Sequence, residues 1–311
     1  MIQLYILTKD RPNELRDALI SAINQTSKDI EIIVSDNSEM LETSQMMLEN
    51  FSHIHYVKRV PYLEASEHSR VVIEESSAEY VMLFHDDDIL EPSHVSDILI
   101  EFQKYPDLVA VASNGTYIGD FFLNNREIMN LSKDIVIKSP KEIFEYYLGL
   151  HPSGSSTPPL SGYIYKTSVL KEVNRNFDNK CGKHADVQTL SEVLKFGKVA
   201  WLSKKTILYR VHSGQHSASE KILDRNKLLR FMLTNGVDIN SKGVVYFKFM
   251  YLLGWWKKNS NSTFRRPLGF KERIVAKFLV FSFLNLLFSK IFISKIFRLL
   301  LFLVNKNFKK I

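Results

Sequence analysis

Three consecutive aspartates, Asp86, Asp87 and Asp88, stand at the end of the apolar run YVMLF, separated from it only by His85. Each carboxylate in such a run raises the cost of ionising its neighbours, so the run calls for a counter-charge or for a different role. A hard divalent cation is one answer, because Mg²⁺ and Mn²⁺ take oxygen ligands and bind through one or two carboxylates plus substrate phosphates. A solvated acidic turn is the other, with Asp88 as the N-cap of the next helix and Glu91 three residues on completing a capping box. Asp36 ends a second apolar run, IEIIVSD, where an Asx turn is the plain reading. Thr8, Asp10 and Arg11 follow a third, IQLYIL.

These polar residues need elements to hold them. Strand and helix signals alternate through the first hundred residues, the pattern of an α/β fold with a mainly parallel sheet. Strands are predicted over Ile2 to Leu7, Ile30 to Asp36, within Phe51 to Val60, and over Tyr80 to Phe84. Helices are predicted after Pro12, with apolar Leu15, Ala18, Leu19, Ala22 and Ile23 at helical spacing, and around Arg70 to Ser77. In open α/β sheets ligands sit at the carboxyl ends of the strands, so the three polar loops are expected to line one crevice. Beyond Pro92 the signals are a helix in HVSDILIEFQKY, a strand in VAVAS, the breaker-rich loop HPSGSSTPPLSG, a strand and helix in IYKTSVLKEV, a helix in ADVQTLSEVLKFG and two short strands in VAWLSKKTILYRV. The stretch from Gly115 to Leu150 shows no clear period.

The net charge of +7 is unevenly distributed. From Phe264 onward there are eleven Lys or Arg against Glu272 alone, a balance of +10, which leaves −3 for everything before it. That pattern argues against nucleic acid and for a mildly acidic enzyme held on anionic lipid. The longest uncharged gap in the basic segment, Phe278 to Ser289, is shorter than the ~20 residues that span a bilayer. Amphipathic helices lying in the membrane interface are expected, with packing on the same domain or on a second subunit as the alternative. One cysteine, Cys181, and an N-terminal stretch without a basic and apolar leader point to a reducing cytoplasm.

Four pieces in order resemble the family 2 glycosyltransferases: LTKDRPNELRDALISAINQT, IEIIVSDNS, AEYVMLFHDDDILEP and TILYRVHSGQHS. The resemblance implies a GT-A fold over residues 1–217, with a nucleotide-sugar-binding half (1–113) and an acceptor-side half (114–217), followed by a helical region over 218–311. It implies inverting transfer of a sugar, with a UDP-sugar as the favoured donor, a divalent metal (Mn²⁺ or Mg²⁺) as cofactor and a polyprenyl-diphosphate-linked saccharide as acceptor. The setting would be surface-polysaccharide synthesis at the cytoplasmic face of the membrane. Residue by residue, Asp36 would meet the base, Thr8, Arg11 and Arg70 would lie near the donor, and Asp88 would bind the metal. Asp86 and Asp87 would share the ribose and a second metal contact in an order the two possible registers leave open. Asp186, eleven residues before Gly197, would be the catalytic base, and His212 a metal or diphosphate contact. The sequence departs from the family pattern at Asp10 (asparagine there), at His85 (an acid) and at Ala185 (a glutamate that touches the acceptor). Two competing readings are a nucleotidyltransferase, which would carry a glycine-rich phosphate loop where TKDRPN stands, and a decayed transferase fold serving as a membrane-peripheral binding protein.

Overall fold

The computed structural model describes residues 1–119, 126–147, 157–212, 222–241, 244, 245 and 247–249. Strand β1 (Ile2–Thr8) is apolar along most of its length because both of its faces are covered: Ile2, Leu4 and Ile6 are fully buried, and Gln3 and Tyr5 nearly so. It lies parallel to β2 (Ile30–Asp36) on one side and to β4 (Tyr80–His85) on the other, with β3 (His55–Lys58) parallel beyond β2. Helices α1 (Pro12–Ile23), α2 (Glu42–Asn50) and α3 (Ala65–Glu75) make the crossovers. Pro12 sits in the first turn of α1, where its missing N–H costs nothing, and Leu15, Ala18, Leu19 and Ala22 form the buried stripe. Helix α3 begins well before the predicted Arg70, because the surface residues of its first turn carry no apolar period.

Gln25, just past α1, ties that helix to α4 (His94–Lys104): its amide donates to the Ser21 and Glu91 carbonyls at 3.1 and 2.9 Å and accepts the Val95 N–H at 3.0 Å.

The remaining strands are β5 (Ile89–Leu90), β6 (Leu108–Ile118), β7 (Ile135–Ile137), β8 (Tyr163–Lys166) and β9 (Lys198–Arg210), and the remaining helices α5 (Pro140–Tyr147), α6 (Thr167–Arg175), α7 (Ala185–Val193) and α8 (Ile222–Thr234). The sheet runs β3-β2-β1-β4-β8-β6-β9-β5, with β7 also on β9. Strands β5, β7 and β8 oppose the others, so the expected mainly parallel sheet is in fact mixed. Apolar alternation carries no information about the direction of a neighbour, and β8 reaches its place between β4 and β6 from far along the chain.

The two short strands expected around VAWLSKKTILYRV are one strand, β9, that bulges between Leu202 and Ile207 against β6. The Lys pair reads as a break but is accommodated in the bulge, and Ser203 is held there by Asp134 through both its N–H and its hydroxyl. Gly197 has its own reason at the entry to β9: a Cβ there would meet the Asp107 carbonyl oxygen at 2.5 Å.

The chain divides into two compact units, Met1–Ile143 with Ser156–Phe231, and Phe144–Ser155 with Met232–Ile311. The boundary expected at 217 falls within 213–221, outside the described residues, as does the basic segment from 264. Among the described residues no helix is long and apolar enough to cross a membrane.

His94 opens α4 fully enclosed, with Nδ1 2.8 Å from Thr206 Oγ1 and 3.2 Å from Ser113 Oγ. Burial pushes its pKa down to about 4, and burial does the same to His68, whose Nε2 lies 2.8 Å from Ser35 Oγ. Both fold as neutral imidazoles, so their contribution is intact above the unfolded value of 6.5 and is lost as the pH falls toward 4. Each shift corresponds to about 3 kcal/mol at its acid limit. His94→Gln should therefore remove a loss of about 3 kcal/mol in urea-unfolding free energy between pH 6.5 and 4, while the raised carboxyls of Asp86 and Asp88, which act in the opposite sense over that range, are left in place. An unchanged slope would assign the acid sensitivity elsewhere.

Candidate active site

Parallel register brings the polar strand ends to one level. Thr8 lies beside Asp36, Asp36 beside Lys58, and Leu7 beside His85. Asp10 then joins the loops after β1 and β2: its N–H donates to Ser38 Oγ at 2.7 Å, and its carboxylate accepts the Glu39 and Met40 N–H groups at 2.9 and 3.1 Å. Its φ of 54° is left-handed, a conformation that Asn and Asp tolerate best among non-glycine residues.

The three aspartates have different surroundings. Asp86 is fully buried, 2.7 Å from Arg11 Nη2, and burial pushes its carboxyl up to about 6 against the pull of Arg11 and of the Thr8 hydroxyl. At Asp87 burial also opposes ionisation, but His85, His212 and Arg11 outweigh it and hold the carboxyl below its ordinary value. Its Oδ2 receives Arg11 Nη1 at 2.8 Å and lies 3.0 Å from His212 Nε2. Asp88, fully buried, takes the Arg210 N–H on Oδ1 at 2.9 Å and the Ser161 hydroxyl on Oδ2, and burial raises it to about 6. The capping-box alternative fails, since α4 starts only at His94 and both Asp88 oxygens are engaged elsewhere. The Arg210 side chain donates from Nε to the Asp87 carbonyl at 2.9 Å, so the end of β9 holds the run by backbone and side chain together.

Asp36 does form an Asx turn, accepting the Ser38 N–H on Oδ1 at 2.8 Å. Its Oδ2 accepts Tyr56 Oη at 2.5 Å and Lys58 Nζ at 3.0 Å, and these donors outweigh burial and keep the carboxylate ionised. Asp186 sits in the first turn of α7. Its Oδ1 is closed to solvent and has no hydrogen-bond partner among the described atoms, and burial raises its pKa despite the helix N–H of Val187. His85 favours the ionised form of all three run aspartates and of Asp186, and burial together with Asp88, Asp87 and Asp186 raises the Tyr209 phenol. The acidic run and Asp186 thus share one electrostatic neighbourhood.

Over residues 4–164, just over half of the 311, the sequence matches the model described as glycosyl transferase family 2. The chain belongs to this family. It is a glycosyltransferase of GT-A fold. No curated protein matches it. Among solved structures, TarS of S. aureus is 14% identical with a TM-score of 0.56, over 88% of this chain and 47% of that one, so the chain spans about half the length of that structure's chain. TarS 1–349 in complex with UDP-GlcNAc is 14% identical with a TM-score of 0.57, over 90% of this chain and 79% of that one. The same TarS segment in complex with UDP gives 14% and 0.56, over 88% and 76%. At such identities the likeness is one of fold.

Family 2 enzymes often use a divalent metal, and the residues here fit one. His85, Asp87 and Asp88 each offer a ligand atom, all within 4.8 Å of one another. His85 therefore joins the candidate ligands from the position where an acid was expected. His212, expected as a metal or diphosphate contact, bonds Asp87. Among the described residues, Arg70 and Asp186 make no hydrogen bond or ion pair to the other expected site residues: Arg70 lies on the exposed side of α3, and its carbonyl accepts from Asn174. Ser161, Tyr56, Lys58 and the clamping role of Arg210 were not foreseen. Tyr56 and Lys58 had a usable signal, being two apart on a strand and so on one face beside the end of β2. Ser161 had none, since 73 residues separate it from Asp88.

Proposed function

We propose that this glycosyltransferase moves a sugar from a nucleoside-diphosphate donor, a UDP-sugar foremost, to a hydroxyl of a lipid-linked saccharide. The observation that supports this reading is that His85, which clusters with Asp87 and Asp88, also acts electrostatically on Asp186. Asp186 accepts the proton of the acceptor hydroxyl through an oxygen that no other group occupies. The hydroxyl oxygen bonds to the anomeric carbon as the bond to the donor diphosphate breaks on the opposite face, inverting the centre. Arg11 and His212 orient Asp86 and Asp87, and Ser161 and Arg210 orient Asp88. A divalent ion held by His85, Asp87 and Asp88 would supply Lewis-acid stabilisation of the leaving diphosphate. Arg70 remains a candidate donor contact on α3. The acceptor belongs to surface-polysaccharide synthesis on the cytoplasmic face of the membrane, and the basic segment from Arg265 onward keeps the enzyme there on anionic lipid.

The test is release of free nucleoside diphosphate from UDP-, GDP- and dTDP-sugars with Mn²⁺ and a membrane extract as acceptor source. Release from one donor class is the expected result; release of pyrophosphate instead, or no turnover, would sink the proposal. In the same preparation, truncation after Thr263 should lower co-sedimentation with anionic vesicles, and unchanged sedimentation would remove the membrane role of that segment.

A further inference from the structure

The base end of the donor site has a feature that the expected role of Asp36 does not accommodate. Asp36 is fully buried, and its oxygens already receive three donors: Ser38 N–H at 2.8 Å, Tyr56 Oη at 2.5 Å and Lys58 Nζ at 3.0 Å. No solvent reaches this carboxylate, so a nucleobase could bond to it only by displacing one of those groups. Lys58 stands in front of it. The Lys58 side chain is 26% exposed and Asp36 is 0% exposed, so the ammonium and not the carboxylate is the charged group that this end of β2 and β3 presents outward.

We propose that Lys58 is the residue that reads the base of the donor nucleotide, with Asp36 positioning it from behind. This deepens the nucleotide-sugar reading above and rests on it. An ammonium has three N–H donors and no acceptor. Two are directed at Asp36 Oδ2 and, at 3.4 Å, at the Met40 carbonyl. The third has no acceptor among the described atoms. A group that can only donate selects a ring carbonyl, such as that at position 4 of uracil or thymine or position 6 of guanine. It disfavours the exocyclic amine that cytosine and adenine carry there, because two donors would then face each other with neither satisfied. Tyr56 and Ser38 hold Asp36, and Asp36 holds the Lys58 ammonium at a fixed point, which is what makes the discrimination geometric.

Calorimetric titration of the full-length protein with UDP against CDP, and with GDP against ADP, tests this. The unaltered protein should bind the carbonyl member of one pair about 10- to 100-fold more tightly than its amine counterpart, the range of a hydrogen bond to a charged group. Lys58→Met should abolish that ratio by weakening the carbonyl nucleotide alone, and Lys58→Arg, which keeps a cationic donor, should restore part of it. A ratio that survives in Lys58→Met overturns the assignment, as does a loss that falls equally on both members of the pair. If the unaltered protein binds UDP and CDP, and GDP and ADP, equally well, the Lys58 assignment fails and the nucleotide-sugar reading stands. If it binds no nucleoside diphosphate, both fail.

Discussion

Asp186→Asn is expected to lower sugar transfer by about 10²- to 10⁴-fold, the usual contribution of a general base, and to leave UDP affinity within roughly a factor of two. The split follows from where the residue lies. Asp186 is on α7, on none of the strands that carry Thr8, Asp36 and Lys58, so its loss removes a proton acceptor and no donor contact. Asparagine keeps the shape and the capacity to accept a helix N–H, which limits the change in stability. The pH dependence has a definite sign. Burial raises the pKa of Asp186, and only the carboxylate can act as base, so the rate should fall as the pH drops through a value above the ordinary carboxylate range. That acidic limb should vanish from the residual activity of Asp186→Asn. Nucleoside diphosphate release and UDP calorimetry together decide it: a variant with near-normal release would move the base elsewhere.

Removal of divalent metal with EDTA should stop transfer, and Mn²⁺ or Mg²⁺ should restore it in the unaltered protein and not in Asp88→Asn. The direct readout is Mn²⁺ binding followed by electron paramagnetic resonance, where Asp88→Asn should weaken binding by more than about 100-fold. The substitution is chosen because its remaining carbonyl oxygen can still accept the Arg210 N–H, so the end of β9 keeps its anchor. Ser161→Ala should have a smaller effect, about 10- to 100-fold, because it frees the other Asp88 oxygen to turn without removing a ligand. Full activity in the presence of EDTA, with Mn²⁺ binding undetectable in the unaltered protein, would show that His85 and Arg11 neutralise the run by themselves.

Much of this site was legible because its parts are local. A strand ending in a polar residue reads the same in sequence and in space, and parallel pairing of β3, β2, β1 and β4 sets those ends side by side. Asp36, Thr8, Arg11 and the aspartate run were found that way. Asp186 was different, since only resemblance singled it out, and its isolation from other donors became visible with the fold. The different surroundings of the three run aspartates also needed the fold, because three adjacent identical residues carry no internal mark of which one faces where.

By itself the sequence determined the α/β alternation, the strand ends that carry the chemistry, and the asymmetry of charge between body and tail, all of which depend on residues near one another in the chain. Only the tertiary structure decided the mixed direction of the sheet, the burial of Asp86 and Asp88, the clamp from Ser161 and Arg210, and the screening of Asp36 by Lys58. The reason is physical: desolvation and hydrogen-bond satisfaction depend on what surrounds a group in three dimensions, and the partners here come from positions up to 125 residues away.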